Sequence, residues 1–113
     1  MHELSLAIEV IELAGREAVK QGFSRILEID IEVGDLSGIE AEAFQFGMEM
    51  QVKGTILDGA TINLVQTPGT GICSGCQLKF EMKNRLDACP KCQCFPSEIT
   101  GGQEFRVLSL IAE

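Results

Sequence analysis

The cysteines of this 113-residue chain lie in one short segment and have the spacing of a metal site. Two Cys-x-x-Cys pairs are separated by twelve residues, and their members are Cys73, Cys76, Cys89 and Cys92. A gap of two residues lets a tight turn direct both sulfurs at one ion, and two such turns complete a tetrahedral shell. The spacing predicts a structural Zn(II) site with no open coordination position. Iron in the same shell and a bare thiol pair are the alternatives.

A fifth cysteine, Cys94, follows the second pair, and an odd number argues against complete disulfide pairing. Cys94 can substitute as a ligand, react as a free thiol or be an inert buried side chain, and the inert role is favoured. Glycine often follows the last cysteine of such a turn, but Gln93 stands here. A left-handed backbone at that position would cost Gln93 about 1 kcal/mol or more.

The only histidine, His2, stands one residue behind the terminal amine. Most histidines at a chain end have no special role, because terminal residues are often mobile. A free amine, the next amide nitrogen and an imidazole on residue 2 can nevertheless close adjoining chelate rings around one ion. Ni(II) and Cu(II) prefer such nitrogen-rich square-planar coordination. The start of the chain is therefore a second candidate metal site, and we expect Met1 to be retained there.

Two segments have the periodicity of amphipathic helices. The first covers residues 4–21, with Gly22 as its expected C-cap. The second begins at a capping box formed by Ser37 and Glu40 and is expected to end near Gly54. The expected apolar faces are Leu4, Ile8, Ile11, Gly15 and Ala18 in the first helix, and Ile39, Ala43, Phe46 or Gly47, and Met50 in the second.

Three segments have the composition of strands: residues 27–33, 61–66 and 105–112. The first alternates strictly between apolar and acidic residues, which is typical of a strand with one buried face. Residues 71–102, by contrast, have too few large apolar side chains to build their own core. Something else must therefore hold this segment together.

The order of these elements predicts an α+β fold, with two helices packed on a small three-stranded sheet and an inserted zinc-ribbon module. The α/β domain with the amino-terminal metal site would contain residues 1–69 plus 104–113, and the zinc-binding domain residues 70–103. A right-handed crossover would place the first two strands parallel in one sheet. The strand order and the direction of the third strand stay open.

The formal net charge of −8 argues against binding to nucleic acid or anionic membranes. Residues 1–70 carry 12 acidic and 4 basic side chains, whereas residues 71–113 carry 5 of each. No apolar run reaches the ~20 residues of a membrane span. Glu3 and Glu9 stand where a signal peptide would be basic, so we expect a cytoplasmic protein.

Several motifs occur together in this chain. They are MHELSL at the start, GDLSGIE after the acidic strand, and two spaced cysteine pairs, of which the second reads C-P-x-C before a final strand. In this combination the chain resembles the hydrogenase maturation nickel metallochaperone family of the HypA/HybF type, over essentially its whole length. The combination is more specific than either metal motif alone.

The resemblance implies a nickel carrier that acts with a hydrogenase/urease maturation GTPase and loads the large subunit of NiFe hydrogenase; in some organisms the family also serves urease. Ni(II) would be an exchangeable cargo bound at Met1, His2 and Glu3. The structural Zn(II) would be held by the four paired cysteines. Glu40 matches a family carboxylate at the nickel end or the partner surface. The chain would be a monomer or a homodimer.

Two other functions compete with this hypothesis. A zinc-ribbon adaptor for another protein would need only the cysteines and the acidic face, and would be indifferent to His2. A thiol-disulfide enzyme would need a reducible cysteine pair in a thioredoxin-like context, which residues 68–72 do not have. Acid-base and nucleophilic catalysis have little support, because one terminal histidine leaves no catalytic constellation to assemble. We therefore expect a protein that is not an enzyme.

Overall fold

The structure is a computed structural model that describes residues 2–113. Within those residues the strands form two three-stranded sheets. The elements are α1 (His2–Lys20), β1 (Ile26–Gly34), α2 (Ala41–Gln51), β2 (Thr61–Thr67), β3 (Gly69–Cys73), β4 (Lys79–Met82), β5 (Pro96–Gly101) and β6 (Phe105–Ala112). The predicted α+β fold is confirmed, with a cysteine-containing module inserted between the last two predicted strands.

The described chain divides into two compact units. The first unit contains residues 2–32, 40–65 and 106–113, and the second contains residues 33–39 and 66–105. Neither helix of residues 2–113 has the length and apolarity that crossing a membrane requires.

The sheet in the same unit as the two helices has the order β2-β1-β6. Its central strand is β1, which alternates between apolar and acidic residues. Strand β6 runs antiparallel to β1, because Arg106 pairs with Glu32 while Ser109 bonds to Asp30. Strand β2 runs parallel to β1. Asn63 in β2 donates to Glu28 and Asp30 in β1, and Ile56, which precedes β2 in the chain, accepts the N–H of Ile26 at the start of β1. The first two strands are therefore parallel, as predicted, and the third strand is antiparallel to β1.

Helix α1 is confirmed, and its buried stripe matches the predicted one only at Ile11 and Ala18. Ile8 is 40% exposed, and the buried residues are Ala7, Val10, Ile11, Ala14 and Ala18. Apolar residues cover much of the circumference of α1, so periodicity alone could not choose between neighbouring stripes. The C-cap is as predicted: Gly22 has φ +86°, and its N–H donates to the Val19 carbonyl while the Phe23 N–H donates to the Ala18 carbonyl.

The predicted capping box of α2 is wrong. Glu40 is itself the N-cap, and its carboxylate accepts from the backbone N–H groups of Glu42 and Ala43. Ser37 instead forms a local turn by accepting from the Ile39 N–H at 3.2 Å. The predicted apolar face is right only in part: Gly47 is buried as predicted, but Phe46 and Met50 are exposed, and Phe44 and Met48 are buried instead. Gly47 faces α1, and a Cβ there would lie in ordinary contact, 3.4 Å from the Ala7 Cβ.

The second unit contains the sheet β4-β3-β5, in which β3 pairs antiparallel with both neighbours. The expectation that this segment has no core of its own needs correction. Its small buried cluster is formed by Leu36, Cys73, Phe80, Met82 and Cys89, with Leu78 and Ile99 packed against it. Two of the five buried members are cysteines of the predicted zinc site. The core of the second unit and the candidate metal ligands are therefore partly the same residues.

Candidate metal centre

The paired cysteines lie on two turns with the same backbone design. In the first turn the Gln77 N–H donates to the Cys73 carbonyl at 3.1 Å, and in the second the Gln93 N–H donates to the Cys89 carbonyl at 2.9 Å. Gln77 and Gln93 both have φ 63°, in the left-handed region. Gln93 therefore has the left-handed backbone that the sequence analysis considered, and Gln77 has the same conformation in the first turn.

Backbone N–H groups in these turns point at the first sulfur of each pair. Gly75 and Cys76 donate to the Cys73 Sγ at 3.3 and 3.5 Å, and Lys91 donates to the Cys89 Sγ at 3.4 Å. Such donors stabilise a thiolate over a thiol. At Cys89, whose pKa is lowered by such donors, the turn therefore favours the ionised form that binds a metal.

The four sulfurs of the paired cysteines converge, and all lie within 4.8 Å of one another. The shortest separations are 3.1 Å from Cys73 to Cys92, and 3.7 Å from Cys76 to both Cys89 and Cys92. A tetrahedral Zn(II) with Zn–S bonds of about 2.3 Å needs sulfurs about 3.8 Å apart. The two 3.7 Å separations match this requirement, whereas Cys73 and Cys92 would have to move apart by about 0.7 Å to bind the ion.

The thiol pKa values differ within the cluster. The pKa of Cys92 is lowered by a hydrogen bond from Cys73 and by the Cys94 backbone N–H. The pKa of Cys89 is lowered by the backbone N–H groups of Cys92 and Lys91. The Leu78 backbone N–H would lower the pKa of Cys76, but desolvation and hydrogen bonds with the other thiols outweigh it and raise that pKa to about 11. Without a cation, the cluster therefore does not favour ionisation of all its thiols together.

The cluster has a buried side and an exposed side. Cys73 and Cys89, the first members of the two pairs, are buried, whereas Cys76 and Cys92 are exposed. Cys94 is exposed as well, so it is not the inert buried side chain that the sequence analysis favoured. The pKa of Cys94 is raised, first by a hydrogen bond with Cys92 and then by the negative charge of the Cys92 thiolate.

The predicted residues of the nickel site lie at the start of α1, except that Met1 falls outside the described residues. His2 is exposed in the first turn of the helix. The Glu3 Oε2 accepts the Glu40 backbone N–H at 3.2 Å, and this bond is the main cause of the lowered pKa of Glu3. The structure thus brings Glu3 and Glu40 together at the beginnings of both helices, a link that spans 37 residues and has no signal in the sequence.

A family model decides among the functional hypotheses. The model is described as hydrogenase/urease nickel incorporation, metallochaperone, hypA, and it matches residues 1–112. The chain belongs to the HypA family. It is therefore a nickel metallochaperone of the hydrogenase/urease maturation system, and the adaptor hypothesis without a nickel role is not favoured.

Individual HypA proteins are similar over their full length. The chain is 38% identical over 110 residues to hydrogenase maturation factor HypA of Alkalilimnicola ehrlichii, covering 97% of both chains. It is 36% identical over 113 residues to that of Azotobacter vinelandii, covering 100% of both. A solution structure of HypA protein has a TM-score of 0.66 and 27% identity, with 100% and 97% of the two chains covered.

A solution structure of the nickel metallochaperone HypA from Helicobacter pylori also has a TM-score of 0.66. It is 24% identical to this chain and covers 97% of this chain and 96% of its own. This likeness supports the HypA fold. The fold predicted from the element pattern and the resemblance to the family are both confirmed.

Proposed function

We propose that this HypA protein binds Ni(II) at its amino terminus as an exchangeable cargo, with His2 as the indispensable ligand. The terminal amine of Met1 and the amide nitrogens of the first residues would complete a nitrogen-rich site, which suits Ni(II). The observation that carries the proposal is the position of His2, exposed in the first turn of α1 in a chain that matches the nickel-incorporation family from residue 1.

The hydrogen bond between Glu3 and Glu40 holds the proposed nickel site in position. Because the Glu3 carboxylate holds the Glu40 N–H, it ties the first turn of α1 to the start of α2. The carboxylate of Glu40 caps α2 through the Ala43 N–H at 2.8 Å. We therefore assign Glu3 mainly a role in positioning His2. To contact nickel, the Glu3 side chain would have to give up its hydrogen bond with the Glu40 N–H. Glu40 lies at the nickel end in this proposal.

The four paired cysteines would hold Zn(II) as a structural ion. Two of them belong to the buried cluster of the second unit, so the ion would complete a core that has few other large side chains. A closed shell of four thiolates offers no position for substrate. In this proposal residues 70–103 are the zinc-binding domain, and residues 1–69 plus 104–113 are the nickel-binding domain.

The proposed partners are a hydrogenase/urease maturation GTPase and the large subunit of NiFe hydrogenase, with urease as a further target. The proposed compartment is the cytoplasm, where five free thiols would stay reduced. A carrier with this role is not an enzyme, and it would act as a monomer or a homodimer.

Calorimetric titration of the zinc-loaded protein with Ni(II) tests the nickel proposal. We expect His2→Ala to lose the binding heat, and a variant with one residue added before Met1 to bind more weakly because the amine is displaced. Glu9→Gln is the matched control, since Glu9 is an exposed acidic residue further along α1. Equal Ni(II) binding by His2→Ala and the parent would reject the proposal.

Binding should also weaken in acid, because protons compete with Ni(II) for the imidazole and amine nitrogens. An Ni(II) affinity that stays constant from pH ~8 to pH ~6 would contradict ligation by these two groups.

A further inference from the structure

The exposed fifth thiol lies directly beside the four-cysteine cluster. A Cβ placed on Gly75, in the first turn, would be 3.1 Å from the Cys94 Sγ and 3.3 Å from the Cys92 Sγ. Both sulfurs therefore lie against the same bare glycine backbone. The family assignment and the paired spacing leave this fifth sulfur without a role.

The position of Cys94 is fixed by the second turn. Its carbonyl accepts the Cys89 N–H at 2.9 Å, while the Cys89 carbonyl accepts the Gln93 N–H at the same distance. Cys94 is thus attached through its backbone to the turn that carries two of the candidate ligands. The same turn therefore holds the Cys94 side chain next to Cys92.

The exposed side of the cluster is where a ligand can be replaced. Cys73 and Cys89 are buried and receive backbone N–H bonds at their sulfurs. Cys92 is exposed, and Cys94 lies beside it on the same side of Gly75. Water and protons reach Cys92 more easily than they reach a buried thiolate. The two buried sulfurs can therefore keep the ion in place while an exposed one is exchanged.

We infer that Cys94 is an alternative zinc ligand that can take the coordination position of Cys92. The inference rests on the zinc site proposed above. In the exchange the Cys94 thiol releases its proton to water and forms a Zn–S bond, while the Zn–S bond of Cys92 breaks and Cys92 takes up a proton. No electrons are transferred, and the ion keeps four sulfurs before and after the step.

Cobalt substitution tests this exchange, because the intensity of thiolate-to-cobalt charge transfer reports the number of bound sulfurs. We expect Cys92→Ser to keep one Co(II) per chain with the four-thiolate spectrum of the parent. The double variant Cys92→Ser/Cys94→Ser should show a three-thiolate spectrum and bind Zn(II) at least about tenfold more weakly than Cys92→Ser. Cys76→Ser is the matched control, since it removes the exposed ligand of the other pair and should also show three thiolates.

The possible outcomes separate the two proposals. A parent protein that binds neither Zn(II) nor Co(II) through four thiolates would overturn the zinc site itself. A four-thiolate parent with a Cys92→Ser variant that has three thiolates would overturn the role of Cys94 alone. Far-ultraviolet circular dichroism of each variant with Zn(II) shows whether it folds. If Cys92→Ser fails to fold where Cys94→Ser folds, the substitute ligand does not operate and the inference is equally rejected.

Discussion

Replacing Glu40 with alanine should destabilise the protein, because the Glu40 carboxylate caps α2. Its Oε2 accepts the Ala43 N–H at 2.8 Å, whereas its Oε1 lies 3.4 Å from the Glu42 nitrogen. The first is a good hydrogen bond and the second is close to the distance limit. Loss of an N-cap side chain costs roughly 0.5–2 kcal/mol, and with one strong bond involved we expect about 1 kcal/mol.

Urea denaturation of the zinc-loaded variants, followed by circular dichroism, measures this free energy of unfolding. Glu40→Gln keeps a carbonyl acceptor and should lose only about 0.5 kcal/mol, mostly the favourable charge at the helix start. Glu42→Ala is the matched control, because it removes the same charge from the same turn without removing the cap. Full stability of Glu40→Ala, or an equal loss in Glu42→Ala, would refute the capping assignment.

Three further predictions concern the helices and the zinc-binding segment. Gly47→Ala should raise the stability by about 0.5–1 kcal/mol, because the new methyl lies at contact distance from Ala7 and alanine favours a helix; a lower melting temperature would contradict this. The pKa of Glu3 is lowered from its ordinary value of 4.5, so its carboxylate stabilises the folded state when the pH is above 4.5. This contribution is lost as the pH falls through the lower pKa of Glu3 in the folded state. The stability difference between the parent and Glu3→Gln should therefore be largest near neutral pH and shrink in acid, and a constant difference would reject the Glu40 bond. Chelation of zinc should accelerate hydrogen exchange at the amides of β3, β4 and β5, because metal binding supplies folding free energy there, and re-addition of Zn(II) should restore protection; unchanged exchange would contradict a structural ion.

The cysteine cluster and the central strand could be predicted from the sequence because each follows from local spacing. Two-residue gaps bring sulfurs together in a turn, and strict apolar-acidic alternation specifies a strand with one buried face. Both features are encoded within a few consecutive residues. The direction of β6 was open, because it depends on pairing between distant segments such as Arg106 and Glu32.

The helix faces and the helix start were harder to predict for a related reason. Nearly every position from Phe44 to Met50 that could face inward is apolar or small, so the pattern did not distinguish Phe44 from Phe46. The N-cap of α2 is Glu40 and not Ser37, and glutamate is not among the residue types that N-cap positions prefer. The bond from the Glu40 N–H to Glu3 requires the two helix starts to be adjacent, which only the tertiary structure provides.

In the proposed function, one chain keeps zinc on its cysteines and carries nickel at its amino terminus. Metal analysis of the purified protein before and after addition of Ni(II), with and without His2, tests it most directly. The parent should contain one zinc per chain throughout and gain one nickel, whereas His2→Ala should keep its zinc and gain no nickel. Nickel retained by His2→Ala, or nickel that enters only by displacing zinc, would contradict the assignment of two separate sites.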